Sequence, residues 1–309
     1  MTTVSVPGKV HLMGEHAIVY GRPAILAAIN LRLAVTINHQ LSTINPKREE
    51  ITIVSVEPDD YVRHVVEVVK EHFKLNELPP LKITICSQIP AGYHLGSSAA
   101  TAVGVVGALT YFLKKTWNPQ LINQLAYEAE KKMHGNPSGG DNTTVTLGGF
   151  IWFRRELEFL KSIWQLPFKP HPSLNHFFLI NTGRPAEGTG EMVSYVRLRV
   201  QKFRVEMQKL FNQNEEQVKR ITVALKEGDE NELIGAIQVG ERTLEGMGVV
   251  SKQVIPLIRK IEKAGGAAKI LGGGGRKGGV GFLLCYSHHP PKESIPIKLG
   301  AEGVRLEQK

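Results

Sequence analysis

Residues 89–113 constrain the fold more than any other part of the chain, because a glycine-containing loop runs directly into an apolar helical pattern. Gly92 and Gly96 lie in the loop, and a pair of serines follows them. From Ala99 onwards, small and apolar residues recur at helical spacing, which predicts a buried helix. The preceding residues 81–86 alternate apolar and polar side chains and predict a strand. The predicted order is strand, loop and helix.

A helix that begins after such a loop is suited to anion binding. Its first backbone N–H groups have no partner inside the helix, and the helix dipole adds partial positive charge there. Small loop residues let a phosphate approach these donors. The structural alternative is that Ser97 caps the helix and the glycines form a turn. The common P-loop is excluded, because no Gly-Lys-Ser/Thr follows the first glycine.

Length, net charge and cysteine content limit the classes of protein to which this sequence can belong. The chain has 309 residues, enough for about two domains, and a net charge of +9. A basic chain suits an anionic substrate and leaves nucleic-acid contact open. Cys86 and Cys285 lie in apolar strand-like runs, so we expect both to be buried in a reducing, cytoplasmic compartment. No run approaches the roughly 18 apolar residues that a membrane span needs.

The N-terminal residues 4–29 mix glycines with charged side chains. A short strand is expected before Pro7-Gly8-Lys9, and His16 follows Gly14 and Glu15. A lone lysine is usually exposed and a lone histidine usually structural. The position of Lys9 between Pro7-Gly8 and an apolar strand nevertheless favours a role in a site. Strands are predicted at 31–37 and 51–56 around a turn at 45–46, with a helix at 61–73.

A second chemically distinctive segment follows the central helix. Residues 121–134 predict a helix in which Glu130 borders the apolar face. Three glycines and a proline within 135–142 predict a loop that presents Asp141 ahead of a strand at 148–153. Asp141 either forms an Asx turn or supplies a general base.

The composition changes after about residue 155, and a strand at 177–180 opens what we interpret as a second domain. Residues 191–228 are helical by pattern and carry a basic cluster, Arg197, Arg199, Lys202 and Arg204. We interpret this cluster first as a solvated helix face and second as a nucleic-acid patch. Strands at 267–271 and 280–285 flank six glycines in the eight positions 272–279. A hairpin needs only two turn residues. The additional glycines therefore predict that another group approaches this backbone closely.

Three of these stretches, in this order, resemble the motifs of the GHMP kinase superfamily, and most closely its mevalonate kinases. Residues 6–10, 14–16 and 19–24 resemble the opening motif, and residues 95–100 resemble the end of the nucleotide-phosphate loop. Residues 134–139 with Asp141-Asn142 resemble the catalytic-aspartate motif. This third stretch distinguishes best between members of the superfamily, since galactokinases and diphosphomevalonate decarboxylases carry different residues there.

The resemblance implies an α+β fold of two domains, residues 1–172 for ATP binding and catalysis and residues 173–309, with the active site in the cleft between them. It implies an ATP-dependent, Mg²⁺-requiring kinase that converts (R)-mevalonate to 5-phosphomevalonate in isoprenoid biosynthesis. ATP and mevalonate are the expected partners; no nucleic acid or membrane is expected, and a homodimer is possible. The alternatives are another GHMP kinase, acting on phosphomevalonate or a sugar, and a non-catalytic ligand-binding module of this fold.

The resemblance also implies roles for individual residues. Asp141 is the expected catalytic carboxylate, paired with Lys9; full proton removal by Asp141 and activation of the hydroxyl by Lys9 and Mg²⁺ both remain open. Mg²⁺ is expected on Ser98 and Glu130, and mevalonate on His16 and Val19. Glycines 272 to 275 (Gly272, Gly273, Gly274 and Gly275) are expected to shape the cleft floor. The ATP phosphates are expected on Pro90, Ala91, Gly92, Tyr93, His94, Leu95, Gly96, Ser97 and Ser98.

The chain departs from the family pattern at two places. The phosphate loop usually reads Gly-x-Gly-Leu-Gly-Ser-Ser, and His94 replaces its second glycine. This side chain either restricts the approach of phosphate or changes how the base and ribose are held. In the last motif, Leu271 stands where the family often has threonine, and Arg276-Lys277 interrupts the glycines. These cations contact phosphate, the substrate carboxylate or solvent.

Overall fold

The two longest strands of the molecule form an antiparallel pair at the centre of the first sheet. They are β1 (Thr2–Met13) and β2 (Pro23–His39), and a short 3-10 helix, Ala17–Tyr20, lies between them. The strand predicted before Pro7-Gly8-Lys9 is confirmed but is longer than expected, because β1 continues through these residues. A shift of register between Pro7 and Gly8 accommodates the proline, which has no N–H to donate.

The computed structural model describes residues 1–40, 51–55, 58–134, 137–157 and 159–307. The side chains of Met133 and His134 are not included in this description. The turn predicted at 45–46 lies outside the described residues, as do Val56, Gly135 and Asn136 of the predicted elements.

Among the described residues, the first sheet has seven strands, including this central pair. The others are β3 (Ile51–Val54), β4 (Leu81–Ser87), β5 (Phe150–Arg155), β6 (Lys161–Gln165) and β11 (Arg305–Glu307). Their order is β11-β1-β2-β4-β3, and β5 pairs with both β2 and β6. Only β3 and β4 pair in parallel among the described pairs of strands. The strand predicted at 81–86 is confirmed, and the strand predicted at 51–56 is described as far as Val54.

Helices cover this sheet: α1 (Asp59–Phe73), α2 (Ser97–Lys114), α3 (Pro119–His134) and α4 (Gly140–Leu147). Helix α2 packs against β1 and β2 and is contacted by the other three helices, which explains its apolar sequence. The predicted loop at 135–142 is wrong for residues 140–142. Gly139 takes a left-handed conformation (φ 85°), and the chain then enters helix α4, which places Asp141 in a first helical turn.

The second half contains a four-stranded sheet, ordered β10-β7-β9-β8, and four helices. The strands are β7 (Phe177–Asn181), β8 (Ala267–Ile270), β9 (Phe282–Tyr286) and β10 (Ile295–Pro296). The helices are α5 (Thr189–Lys202), α6 (Arg204–Glu227), α7 (Glu230–Met247) and α8 (Ile255–Lys263). The helical pattern of 191–228 is confirmed, with a break at Phe203 between α5 and α6.

The two halves share contacts and core. The C-terminal strand β11 pairs with β1, and Leu299 and Glu302 bridge to Ile29 and Gly148 of the first half. The α+β architecture with two sheets is thus confirmed, while the division at residue 172 stays a prediction. Because the residues around Leu299 and β11 return to the first sheet, any second domain has to exclude them or share them with the first.

The two cysteines differ in exposure. Cys285 is buried in β9, as expected, and burial raises the pKa of its thiol well above the ordinary value. Cys86 is exposed, so the expectation of a buried residue is wrong. Side chains alternate along β4, and Ile83 and Ile85 take the buried face, which leaves Cys86 on the other.

Among the described residues, no helix has the length and apolarity to cross a bilayer.

Candidate active site

Lys9 and Asp141, two residues far apart in sequence, form an ion pair. Lys9 Nζ lies 3.0 Å from Asp141 Oδ2; the lysine side chain is 3% exposed and the aspartate side chain 41%. The backbone N–H of Lys9 donates to the carbonyl of Leu95 at 2.9 Å, which ties β1 to the loop before α2. A side chain at position 96 would collide with Lys9, because a Cβ on Gly96 would lie 2.8 Å from Lys9 Cγ. The glycine therefore leaves room for the lysine side chain to reach Asp141.

The surroundings keep Asp141 ionised. Desolvation raises the pKa of the Asp141 carboxyl, but the charge and hydrogen bond of Lys9 outweigh it, so the pKa lies below its ordinary value. His11 Nδ1 lies 3.3 Å from Lys9 Nζ. Burial, and then the charge of Lys9, lower the pKa of His11 well below 6.5, so the ring is neutral and accepts from the lysine.

A cavity of about 490 Å³ opens beside this pair. Seven of the predicted site residues line it: Lys9, His16, Val19, His94, Asp141, Gly272 and Gly273. Its other lining residues were not predicted: His11, Glu15, Ile18, Pro137, Ser138, Phe153, Arg155, Lys161, Thr189, Val193 and Arg197. The cavity therefore lies between residues from both halves of the chain.

His16 connects the opening motif to the glycine loop. Its Nε2 lies 3.1 Å from the carbonyl oxygen of Gly273, which only accepts, so Nε2 carries the proton and Nδ1 is an acceptor. Burial lowers the pKa of His16 to about 4, and the ring is neutral at neutral pH. A buried, fixed imidazole with one acceptor nitrogen is suited to a substrate hydroxyl.

The charges around the first cavity leave an excess of cations. Glu15 Oε1 is paired with buried Lys269 at 2.5 Å, and Asp141 is paired with Lys9. Among the described residues, neither Arg155 nor Arg197 has a carboxylate partner, although both line the cavity. An anionic group on a ligand would supply that partner.

A second cavity, of about 580 Å³, lies at the N-terminus of α2. From the predicted phosphate loop, Gly92, His94, Gly96, Ser97 and Ser98 line it, with Glu130 and residues 184–189 opposite. Pro90, Ala91, Tyr93 and Leu95 do not line either cavity. Leu95 is buried, and the Tyr93 ring packs on Phe282 with centroids 5.3 Å apart. The N-terminus of α2 therefore borders open space within the size range of small-molecule pockets.

The two cavities meet at His94, Asp141 and Thr189, which line both. Asp141 is thus exposed to two spaces, one beside the cation-rich wall and one beside the helix N-terminus. A group transferred between molecules in the two cavities would pass this carboxylate.

Ser98 and Glu130, the predicted metal ligands, are in direct contact. Ser98 Oγ donates to Glu130 Oε1 at 2.6 Å, and the Tyr61 hydroxyl donates to the same oxygen and lies 3.0 Å from Ser98 Oγ. These hard oxygen donors suit Mg²⁺, which takes its remaining ligands from phosphate and water. In the described ranges, no three or more His, Cys, Asp or Glu side chains form a metal cluster of their own.

Two of the four glycines that were predicted to shape the cleft floor line the first cavity. Gly272 and Gly273 line it, whereas Gly274 and Gly275 are buried behind them, with Gly275 N donating to the carbonyl of Val249 at 2.9 Å. Leu271 is fully buried. Arg276 and Lys277 are exposed and line neither cavity; the guanidinium of Arg276 lies 4.1 Å from the centroid of the Tyr195 ring. The inserted cations therefore lie outside both cavities.

Four of the missed lining residues follow simple spacing rules. His11 lies two residues after Lys9 on β1, so both side chains point to the same face. Thr189, Val193 and Arg197 are four residues apart on α5 and share one side of the helix. Arg197 is therefore not only part of a solvated basic face, as first interpreted, but a lining residue of the cavity.

Comparisons with known proteins identify the family to which the chain is similar. A family model described as the GHMP kinases N terminal domain matches residues 60–149. The mevalonate kinase of Archaeoglobus fulgidus is 34% identical over 312 residues, covering 98% of this chain and 99% of its own. That of Pyrococcus abyssi is 30% identical over 352 residues, covering 100% and 98%. A crystal structure of L. major mevalonate kinase in complex with R-mevalonate has a TM-score of 0.76 at 23% identity, covering 92% and 86% of the two chains.

Proposed function

The chain belongs to the mevalonate kinase family of ATP-dependent GHMP kinases, and on this premise we propose how its own residues transfer the γ-phosphate of ATP to the 5-hydroxyl of (R)-mevalonate. The product is 5-phosphomevalonate, an intermediate of isoprenoid biosynthesis. The observation that carries the residue assignment is the Lys9–Asp141 pair, 3.0 Å apart at the junction of the two cavities.

ATP occupies the second cavity in this proposal. Its phosphates lie at the N-terminus of α2, where backbone N–H groups and the helix dipole favour negative charge. Arg184, which lies beside Gly92, contributes a further cation to the same wall. Ser98 and Glu130 would hold Mg²⁺, which neutralises phosphate charge when bound.

Mevalonate occupies the first cavity. Its carboxylate supplies the anion for Arg155 and Arg197, since neither arginine has a carboxylate partner among the described residues. His16 Nδ1 accepts a hydrogen bond from a hydroxyl, and Val19 supplies apolar surface for the carbon chain. This arrangement directs the far hydroxyl towards Asp141.

Transfer then requires an aligned hydroxyl and little covalent chemistry from the protein. The hydroxyl oxygen of the acceptor forms a bond to the γ-phosphorus while the bond to the β–γ bridging oxygen breaks, and ADP leaves. The proton goes to the Asp141 carboxylate, or Lys9 stabilises the developing alkoxide while Asp141 orients it. Both routes need the carboxylate ionised and the lysine beside it; the 3.0 Å contact with Lys9 and the lowered pKa of the Asp141 carboxyl support this.

The cation-rich first cavity also discriminates between acceptors. A neutral sugar would make no charge-assisted hydrogen bonds with Arg155 and Arg197, which disfavours the sugar-kinase alternative. The Mg²⁺ requirement, cytoplasmic location, homodimer and lack of nucleic-acid partners remain predictions from the sequence.

The test is a coupled ADP-release assay with ATP, Mg²⁺ and one acceptor at a time: mevalonate, phosphomevalonate, galactose or homoserine. We expect turnover with mevalonate alone and a product whose mass increases by one phosphoryl group. Turnover with another acceptor in place of mevalonate would contradict the substrate assignment.

A further inference from the structure

His94 stands between the two cavities. It replaces a glycine of the family loop, and its backbone keeps the left-handed conformation that such a glycine favours, with φ 63°. It lines both the first and the second cavity, a position shared only with Asp141 and Thr189 among the described residues. The replacement therefore places a side chain at the point where the two substrates meet.

The His94 ring packs against glycine backbone from the second half of the chain. A Cβ on Gly272 would lie 2.5 Å from His94 Cγ, and one on Gly281 would lie 3.7 Å from His94 Cδ2. Gly272 thus has to be glycine for the imidazole to lie where it does. The contact fixes the ring as a wall of the site instead of leaving it mobile in solvent.

The polar atoms of the ring remain available. No described residue hydrogen-bonds to either ring nitrogen of His94, and neither nitrogen is sealed from the cavities. Burial, and then the charge of Lys9, lower the pKa of His94 to about 4. At neutral pH one nitrogen therefore carries a proton that it can donate without adding a full charge.

We propose that the His94 imidazole donates a hydrogen bond to the terminal phosphate of ATP and keeps it while the phosphoryl group moves to the acceptor. This inference rests on the proposed function, which puts a triphosphate in the second cavity. Charge spreads over the equatorial oxygens of the transferred group, so a fixed donor beside them stabilises the transition state. The rival explanation is steric: the ring only separates the two cavities.

Two variants distinguish these explanations. His94→Gly restores the family residue, suits the backbone conformation and removes the donor. His94→Asn keeps an N–H donor and is tolerated in a left-handed conformation. Exposed His289→Gly is the matched control, because it lies in a loop and lines neither cavity.

The measurements are the calorimetric Kd values of AMP-PNP and ADP with Mg²⁺, and kcat with mevalonate. We expect His94→Gly to weaken AMP-PNP binding about tenfold more than ADP binding, and to lower kcat about 100-fold. His94→Asn should recover part of both losses, and His289→Gly should match the wild type. Equal changes in the two nucleotide affinities, or an undiminished kcat in His94→Gly, would overturn the inference. The His94 ring would then act only as a steric barrier between the two cavities.

The nucleotide comparison needs no acceptor, which separates this inference from the proposed function. If the wild type fails to phosphorylate mevalonate, the proposed acceptor is wrong, while the AMP-PNP to ADP ratio still decides whether His94 contacts the terminal phosphate. Gly272→Ala supplies a second check, because its methyl group would displace the ring. It should lower kcat in the wild type and cause a smaller loss in His94→Gly, where no ring remains to displace.

Discussion

Lys9 Nζ lies 3.0 Å from Asp141 Oδ2, and this contact joins the second half of a hairpin-forming strand to the first turn of helix α4. The lysine is almost fully buried, and neutral His11 is its second neighbour. Of Lys9, His11 and Asp141, only the aspartate lines both cavities. The carboxylate and the ammonium group are therefore paired in the protein without any bound substrate.

Removing the lysine charge should change both rate and pH dependence. In Lys9→Met, desolvation of Asp141 is no longer outweighed, so the pKa of its carboxyl should rise. The acid limb of kcat/KM should move to higher pH, and kcat at neutral pH should fall about 100-fold or more. A pH–rate profile of both proteins measures this, and an acid limb at an unchanged position would contradict the electrostatic coupling.

Tyr61 should affect the metal more than the fold. Its hydroxyl contacts Glu130 and Ser98, so Tyr61→Phe should leave both oxygens less well oriented. Losses of this kind typically reduce metal affinity about tenfold or more. Mn²⁺ titration of the AMP-PNP complex by electron paramagnetic resonance measures the affinity. Tyr111→Phe, on the adjacent helix α2 and outside both cavities, is the control; equal Mn²⁺ affinity in all three proteins would contradict the role of Tyr61.

Arg197 should determine affinity for the acid acceptor. We expect Arg197→Met to raise KM for mevalonate about tenfold or more, because a charge-assisted hydrogen bond to the carboxylate is lost, with a smaller effect on kcat. Arg204→Met is the matched control, since Arg204 belongs to the same basic cluster but lines neither cavity. Steady-state kinetics with varied mevalonate measure the difference. Similar KM values in the two variants would assign Arg197 to the solvated face.

Buried Glu241 should make stability depend on pH. Burial raises the pKa of its carboxyl to about 8, although Oε2 accepts from Ile270 N at 3.1 Å. Between its ordinary pKa and about 8 the native state holds a proton that the unfolded state has lost. Its contribution to the free energy of unfolding is therefore full below the ordinary pKa and declines as pH rises through this window, by up to about 5 kcal/mol.

Glu241→Gln removes this titration. Relative to the wild type, it should gain stability between about pH 5 and about pH 9 in urea unfolding experiments. Glu227→Gln, at an exposed position at the end of α6, should show no such gain. Parallel pH dependence of the wild type and Glu241→Gln would contradict a buried, protonated Glu241.

The strand–loop–helix order around residue 96 could be predicted because apolar periodicity is a local property of the sequence. The helix that carries Asp141 could not, since Gly139, Gly140 and nearby Pro137 are typical of loops and the helix after them is only eight residues long. Tertiary contacts of α4 with β1 and α2 compensate for this weak local preference.

The missed site residues depend on contacts between distant segments. Arg197 lies on a helix face whose surroundings are set only when the second half packs on the first. The burial of Lys269 beside Glu15 likewise needs β8 next to the opening motif, and a lone charged residue gives no sequence signal of such a pair. Resemblance to known motifs identified Lys9 and Asp141, but spacing within the chain does not reveal that they touch.

The most direct test of the proposed mechanism is mevalonate-dependent ADP formation by Asp141→Asn at saturating ATP and Mg²⁺, with AMP-PNP affinity measured on the same preparation. We expect kcat to fall about 1000-fold with AMP-PNP affinity nearly unchanged, because the amide cannot accept the proton or pair with the charge of Lys9. Turnover close to that of the wild type would contradict the assignment of Asp141 as the catalytic carboxylate.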